Sequence, residues 1–329
     1  MKRILVTGAA GQVGSELVPA LRAVYGDSAV LASDLREPAR EIRDAGPFAT
    51  LDCMDGIAVA EALRRHRADT IYHLAALLSA AAESRPQRAY RLNTDTLYNV
   101  LEAAREEGCA VFTPSSIAAF GPTTPRDATP QDTVQRPSTI YGVTKVAGEL
   151  LCDYYYDRFG VDTRGVRYPG LISHVALPGG GTTDYAVDIF YHAVAEGGYT
   201  GFLGPDTQLD MMYMPDAIRA AIEVMEADPA RLRHRNAFNV TAMQLTPARL
   251  AEEIQKHLPS FEMNYDIDPV RQRIADSWPR SVDDSAAREE WGWKPEYDLE
   301  RTTAEMLDVL TEKLASHPPQ PARSKLGDG

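Results

Sequence analysis

The strongest constraint on this chain sits at its start. Ile4-Leu5-Val6 is a short apolar run, Thr7 follows, and Gly8-Ala9-Ala10-Gly11-Gln12-Val13-Gly14 then leads into Ser15 to Val24 at helical spacing. Strand, glycine turn and helix in that order leave few options. The glycines permit a tight turn, close approach of backbone N–H groups to a diphosphate, and close helix–strand packing, while the helix N-terminus favours an anion. The GxxGxxG spacing is a variant of the dinucleotide fingerprint, so Gly8, Gly11, Gln12, Val13 and Gly14 are read as cofactor contacts. A second strand, Ala29 to Ser33, ends at Asp34, twenty residues beyond Gly14. The fingerprint expects an acid there, on the adenosine ribose hydroxyls. A carboxylate repels a 2′-phosphate, so NAD is preferred over NADP. Leu35 flanks that acid, and Arg36 is a complication because an arginine can accept the phosphate.

The rhythm continues. Thr50-Leu51-Asp52-Cys53 closes a third strand, placing Asp52 and Cys53 beside the adenine, and Asp55 caps a helix through Arg65. Thr70 to Leu74 is a fourth strand. Ala75 and Ala76 after it are small enough for a cofactor to come close. Ser84 is read as the cap of a helix with Pro86 in its first turn, running to Glu107. Asn93 inside it marks either a buried polar contact or simple exposure. Cys109 to Pro114 is a fifth strand that delivers Ser115-Ser116 at its carboxyl end, where open α/β sheets bind ligands. Gly121 to Pro137, rich in Pro, Thr and Asp, is a loop of the kind that closes over a site. A helix runs to Phe159, and Val161 to Val166 is a sixth strand leading to Tyr168 and Leu171. Such alternation predicts an α/β fold, a doubly wound parallel sheet of Rossmann type.

Tyr141 and Lys145 open that last helix, in Tyr-Gly-Val-Thr-Lys. Positions four apart share a helix face. An ammonium near a phenol favours the phenolate, so the tyrosine pKa is expected to fall from its usual value near ~10, which suits a general base.

After Leu171 the alternation breaks. Pro178-Gly-Gly-Gly-Thr-Thr-Asp184 is a polar loop, with Thr183 or Asp184 placed to cap an apolar helix from Tyr185. Met211 to Met214 precede a helix from Pro215, Thr246 and Pro247 start one that ends at His257, and Asn264 to Ile267 read as a strand. Trp278 leads into a polar helix, and Trp291-Gly292-Trp293 closes against something apolar. The division expected is a NAD-binding domain over residues 1–172, rejoined by about 212–242. A smaller C-terminal substrate lobe takes 173–211 and 243–329, with Ala315 to Gly329 a loose tail.

Composition narrows the function. The 329 residues carry 34 basic and 47 acidic side chains, a net charge of −13 that argues against a nucleic-acid partner. Cys53, Cys109 and Cys152 have neither metal-ligand nor disulfide-framework spacing, so no metal is expected and reduced thiols fit best. No apolar run reaches membrane length, and the strand at Ile4 leaves no room for a signal peptide, so a cytoplasmic protein with no membrane partner is expected.

A glycine turn with a downstream acid, a serine at a strand end and Tyr-x-x-x-Lys on the next helix resemble the short-chain dehydrogenase/reductases in their extended form. The resemblance implies roles. Ser116 hydrogen-bonds the substrate oxygen, Tyr141 takes the hydroxyl proton, Lys145 binds the nicotinamide ribose and lowers the tyrosine pKa, and Asn93 supports the lysine through a water. Four blocks narrow the likeness to the short-chain L-threonine 3-dehydrogenases: Leu74-Ala-Ala-Leu-Leu-Ser79, Tyr141 to Glu149, Arg167 to Ile172 with Pro178 to Tyr185, and Met211-Met-Tyr-Met-Pro-Asp216. Asp210 departs from them, since proline is expected before Met211-Met212. The reaction implied is oxidation of the threonine β-hydroxyl by NAD. Ser79, Thr182 and Thr183 would give hydroxyl contacts, Asp184 would sit near the ammonium or close the loop, and Pro178 to Thr183 would act as a lid. A homodimer through a four-helix bundle is also implied, built from Ser84–Glu107 and Tyr141–Phe159. Leu97, Val100, Leu101, Leu150 and Tyr154 are its candidate seam, although core burial explains them equally well. Two readings compete: a sugar-nucleotide epimerase or dehydratase using Arg271, Arg273 and Arg280 on a diphosphate, and a catalytically idle NAD-sensing protein.

Overall fold

The structure, a computed structural model, describes residues 1–177 and 179–316. Pro178, at the head of the expected lid, and residues 317–329 of the expected tail lie outside the described residues. Ala315 and Ser316 end the helix Leu299–Ser316 instead of opening a tail.

Six strands form one parallel sheet in the order Phe48–Thr50, Val30–Asp34, Ile4–Thr7, Thr70–His73, Ala110–Phe112, Thr163–Arg164. This is the doubly wound order 3-2-1-4-5-6, with the direction of progression reversing at the first strand. Side chains alternate between faces as period two demands. Ile4 and Val6 pack with Leu17, Leu21, Ala217 and Val224 on one side. Leu5, Ile71 and Val111 pack with Leu63, Val100 and Leu101 on the other. The helices Gly14–Tyr25 and Met214–Glu226 cover the first face; Gly56–His66, Pro86–Glu107 and Ile140–Phe159 cover the second.

The expected sixth strand breaks at Gly165, where a Cβ would lie 2.2 Å from the Thr113 carbonyl oxygen. Thr163–Arg164 stays in the main sheet. Val166–Tyr168 shifts to pair with Ser115–Ser116 and with Phe238–Asn239. The break matters, because this small extension carries Ser116 above the sheet edge. Gly170–Ile172, Leu209–Tyr213 and Met243–Leu245 form a third sheet, and Gly198–Gly201 pairs with Glu262–Tyr265, two residues earlier than the strand expected at Asn264.

Other expectations change with packing. Ser84 does not cap the long helix; it ends a short one, Ser79–Ser84, and its hydroxyl donates to Ala81 O. The Gly121–Pro137 loop does not lie over the cavity described below. It docks on residues 278–283 through Arg280 N–H to Arg126 O and Ala128 N–H to Ser281 Oγ at 2.8 Å. Trp293 is fully buried and belongs to the same core cluster as Ile4, Val6, Leu17 and Leu21 of the first strand and its helix. Leu97, Val100 and Leu101 turn into the core, leaving Leu150 and Tyr154 exposed on that side of the chain with Tyr90, Tyr98 and Val143. No described helix is long and apolar enough to cross a membrane.

Candidate active site

At the carboxyl ends of the strands a cavity of about 790 Å³ opens beside the first glycine turn. The turn is built by sterics. Gly8 has φ +74°, and a Cβ there would meet Ala75 N at 2.8 Å; a Cβ on Gly14 would sit 2.3 Å from Gly8 O. The helix after it has no side-chain cap, so its first N–H groups face the cavity end unclaimed by a hydroxyl or carboxylate. Gln12 Nε2 is buried without a partner among the described residues. Asp34 is fixed by N–H donation from Ala10 and Arg36, each at 3.0 Å. Arg36 is exposed and reaches Asp34 only at 3.8 Å. Asp52 accepts from Met54 N–H at 2.9 Å and turns the loop at the cavity wall, with Cys53 buried beside it. Leu35, Leu74, Ala75, Ala76, Tyr168 and Leu171 all line the same space. An uncapped helix end, an orphaned amide donor, a fixed carboxylate and walls a Cβ would fill suit a dinucleotide.

Tyr141 and Lys145 enter this cavity from the helix Ile140–Phe159, which Thr139 caps through Gly142 N–H at 3.0 Å. Ser116 joins them, its Oγ accepting from Ala118 N–H at 3.2 Å. The electrostatics differ from the sequence expectation. Burial pushes the Tyr141 phenol up to about 12, and the Ser116 hydroxyl opposes that rise. Lys145 does not lower it here, because its ammonium donates to Pro114 O at 2.6 Å and stands 5.4 Å from the tyrosine ring centroid. Burial in turn brings Lys145 down to about 8, against the pull of Glu149.

Asn93 does not line the large cavity. Its amide is half-buried and fully engaged: Oδ1 accepts from Leu77 N–H at 2.8 Å, and Nδ2 donates to Leu77 O and Thr144 Oγ1 at 3.1 and 3.2 Å. It therefore pins the segment after the fourth strand to the residue preceding Lys145. Thr182 also departs from expectation. It is 1% exposed, its N–H donates to Ser79 Oγ at 3.3 Å, and the two hydroxyl oxygens lie 3.4 Å apart. Thr183 and Asp184 do line the cavity. Asp184 caps nothing; its carboxylate reaches back to Gly180 and Gly181 N–H at 2.9 and 2.6 Å, and burial raises it to about 6.

Sequence reasoning missed three contributors. Trp278, 5% exposed, lines the cavity from a distant part of the chain, and no local pattern signals it. Arg88 lines it as well, and with Leu92 and Thr96 forms an i, i+4, i+8 stripe that was there to be read. His73 lies beneath, bonded to Thr7 Oγ1 at 2.8 Å, and burial brings it down to about 3, so it is neutral.

Residues 4–241 match the NAD dependent epimerase/dehydratase family. The chain belongs to that family. NAD is accordingly its cofactor, and the glycine turn and Asp34 stand where such a group fits. An uncharacterized epimerase/dehydratase of Staphylococcus saprophyticus is 55% identical over 314 residues, covering 95% of this chain and 98% of that protein. The X-ray structure of L-threonine dehydrogenase from Clostridium difficile superposes with a TM-score of 0.93 at 54% identity, covering 95% of this chain and 98% of that one. A GalE-like L-threonine dehydrogenase from Cupriavidus necator, in its holo form, gives 0.90 at 51% identity, with 94% and 99% covered. The chain is thus a Rossmann-type member whose solved relatives include L-threonine dehydrogenases.

Proposed function

We propose that this protein oxidises the β-hydroxyl of L-threonine with NAD, giving 2-amino-3-oxobutanoate and NADH. One observation carries the reading: Tyr141, Ser116 and Lys145 converge on the cavity that the glycine turn opens, and loop residues Gly179, Gly181, Thr183 and Asp184 wall the same cavity. The bound cofactor would supply a nicotinamide ring that accepts the hydride. Ser116 Oγ would orient the substrate hydroxyl, and Tyr141 would take its proton as general base. Lys145, with ammonium donors left beyond its bond to Pro114, would hold the nicotinamide ribose. Asn93 acts as a positioning residue for this segment.

Asp184 offers a carboxylate to the substrate ammonium, and Ser79 and Thr183 offer hydroxyls. Leu77, Leu78, Leu177 and Trp278 supply apolar wall suited to a small substrate. Arg271, Arg273 and Arg280, expected to hold a sugar diphosphate, do not line the cavity, although Arg36 and Arg88 do. Arg280 pairs with Asp127, and Arg271 stacks over Phe202 at 4.2 Å. The division into a NAD-binding domain and a substrate lobe is part of this reading, and the place of Ala286, Ala287 and Trp293 in the core cluster of the first strand supports counting residues 286–293 with the former. So is a cytoplasmic homodimer, its seam now Tyr90, Tyr98, Val143, Leu150 and Tyr154 on the two long helices.

The test is direct. Purified protein with NAD⁺ and L-threonine should produce NADH. Silence with threonine alongside turnover of UDP-sugars would establish the epimerase instead, and silence with both would leave a NAD-binding protein without this activity.

A further inference from the structure

A second cavity of about 30 Å³, the size for a water molecule, adjoins the large one and shares Lys145 with it as a wall. Its walls include Lys145, Glu149, Asn93, Thr144, Ser115 and Asn236. Glu149 is one helical turn below Lys145 and 6% exposed. Its carboxylate makes no direct ion pair with the lysine. It is clamped elsewhere: Arg167 donates Nε to Oε1 at 3.0 Å and Nη2 to Oε2 at 2.8 Å, Gln135 Nε2 donates to Oε2 at 2.7 Å, and Ser115 Oγ donates to Oε1. Four hydrogen bonds from three segments hold this negative charge immobile one helical turn from the lysine.

We propose that Glu149 is the fixed counter-charge of Lys145, a positioning residue that faces the ammonium across the small polar cavity and keeps it charged while Tyr141 works. The alternative is that Glu149 merely ties Ser115, Arg167 and the Gln135 loop together. Burial alone discharges a lysine, and Glu149 is the leading opposing influence on Lys145, with Cys152 behind it. The other ionisable groups around the pair do not replace it. His73, from the fourth strand, is neutral at working pH. Arg167, from the strand Val166–Tyr168, is a cation spent on Glu149 itself. Asp153, a turn further on, is engaged by Asn236.

The electrostatic part stands on the structure alone; its catalytic consequence rests on the threonine-dehydrogenase reading. Lys145 is one of six lysines, so side-chain NMR of lysine-labelled protein resolves it, with assignment by loss of its signal in Lys145→Met. In Glu149→Gln the Lys145 titration midpoint should move down by about one unit or more, and in Glu149→Asp it should return most of the way. An unchanged midpoint in Glu149→Gln overturns the proposal. If that variant does not fold, Glu149→Gln with Arg167→Gln buries no unpaired cation; because it also removes a positive charge, a smaller fall is expected there, and no fall overturns the proposal. In turnover of L-threonine, the high-pH fall of kcat should move down with the lysine midpoint; a loss of kcat with neither shift marks a structural tie only. A wild-type protein inert towards threonine removes the dehydrogenase reading and leaves the NMR outcome decisive for Glu149.

Discussion

The two ends of the cavity are built by different means. At the cofactor end, Gly8, Gly11 and Gly14 lie within seven residues, and the backbone shape follows from what a Cβ would strike. At the substrate end, Ser79, Thr182 and Trp278 come from segments far apart in the chain, and no one of them dictates the place of the others. Thr182 reaches its position because Ser79 receives its N–H, and Asp184 because two glycine amides hold its carboxylate. The first end is fixed by covalent geometry and excluded volume. The second is held by a few hydrogen bonds, about 1 kcal/mol for each neutral one and about 1.5–3 kcal/mol for each to the Asp184 carboxylate. The cofactor end should therefore tolerate substitution poorly and move little, and the substrate end should tolerate more and tune affinity.

The largest effect should fall on neither end. Tyr141→Phe removes the proton acceptor while leaving both binding regions in place. Turnover of L-threonine should drop by about 10²–10⁴-fold, with NAD affinity measured by calorimetry unchanged. A kcat within threefold of wild type would assign the base elsewhere. Next comes the cofactor end. Gly14→Ala sets a Cβ 2.3 Å from Gly8 O and 2.7 Å from Ala9 Cα, both backbone atoms that cannot swing aside. NAD binding should weaken by about 10- to 100-fold, equivalent to ~1.4–2.8 kcal/mol. Wild-type affinity would mean that the turn yields, and the contrast between the two ends would fail.

What was legible in the sequence follows the same divide. Rules that act within one turn or one strand could be read: the glycine spacing, Asp34 at a strand end, Asp55 as a cap, Thr246 and Pro247 as a helix start, and Tyr141 and Lys145 on one face. The break of the sixth strand was not, because Gly165 is required only by the Thr113 carbonyl across the sheet. The direction of the Tyr141 shift was misread because spacing shows a neighbouring ammonium but not depth of burial. Here burial prevails, and the ammonium is taken by Pro114. Leu97, Val100 and Leu101 failed as a seam for a related reason. Helical periodicity marks an apolar face without saying whether its partner belongs to the same chain. Trp278 and the inward turn of Thr182 depend on tertiary contacts that no local pattern encodes.

Asp210 tests the substrate side from beneath. It is fully buried, its Oδ2 accepts from Val282 N–H at 2.6 Å, and Oδ1 has no partner among the described residues. Burial raises it to about 7. An unfolded aspartate releases its proton near pH ~4. Between those values the folded chain keeps a proton that the unfolded chain has lost. The stability tied to the protonated group is thus full below about pH 4, declines towards pH 7 and levels off above it. Asp210→Asn keeps the acceptor for Val282 and removes the ionisation. Its Tm at pH 8 should rise by several degrees, about 5 °C, with little change at pH 5. A gain equal at both pH values would locate the effect in packing instead.

The smallest effect is the one that separates holding the loop from touching the substrate. If Thr182 only fastens the loop to Ser79, then Thr182→Ala removes the hydroxyl contact alone and Ser79→Ala removes both that contact and the acceptor of the Thr182 N–H, so both should raise KM for L-threonine by less than about tenfold, Ser79→Ala the more. Their double variant should then cost little more than Ser79→Ala alone, since that change already removes the hydroxyl contact. Thr183 lines the cavity, with its methyl placed against Gly170, and does not share that bond. Thr183→Ala should add independently to either change. If the Thr182 and Ser79 effects multiply fully in the double variant, each hydroxyl meets the substrate by itself. The substrate end would then be a set of direct contacts, as rigidly specified as the glycine turn opposite.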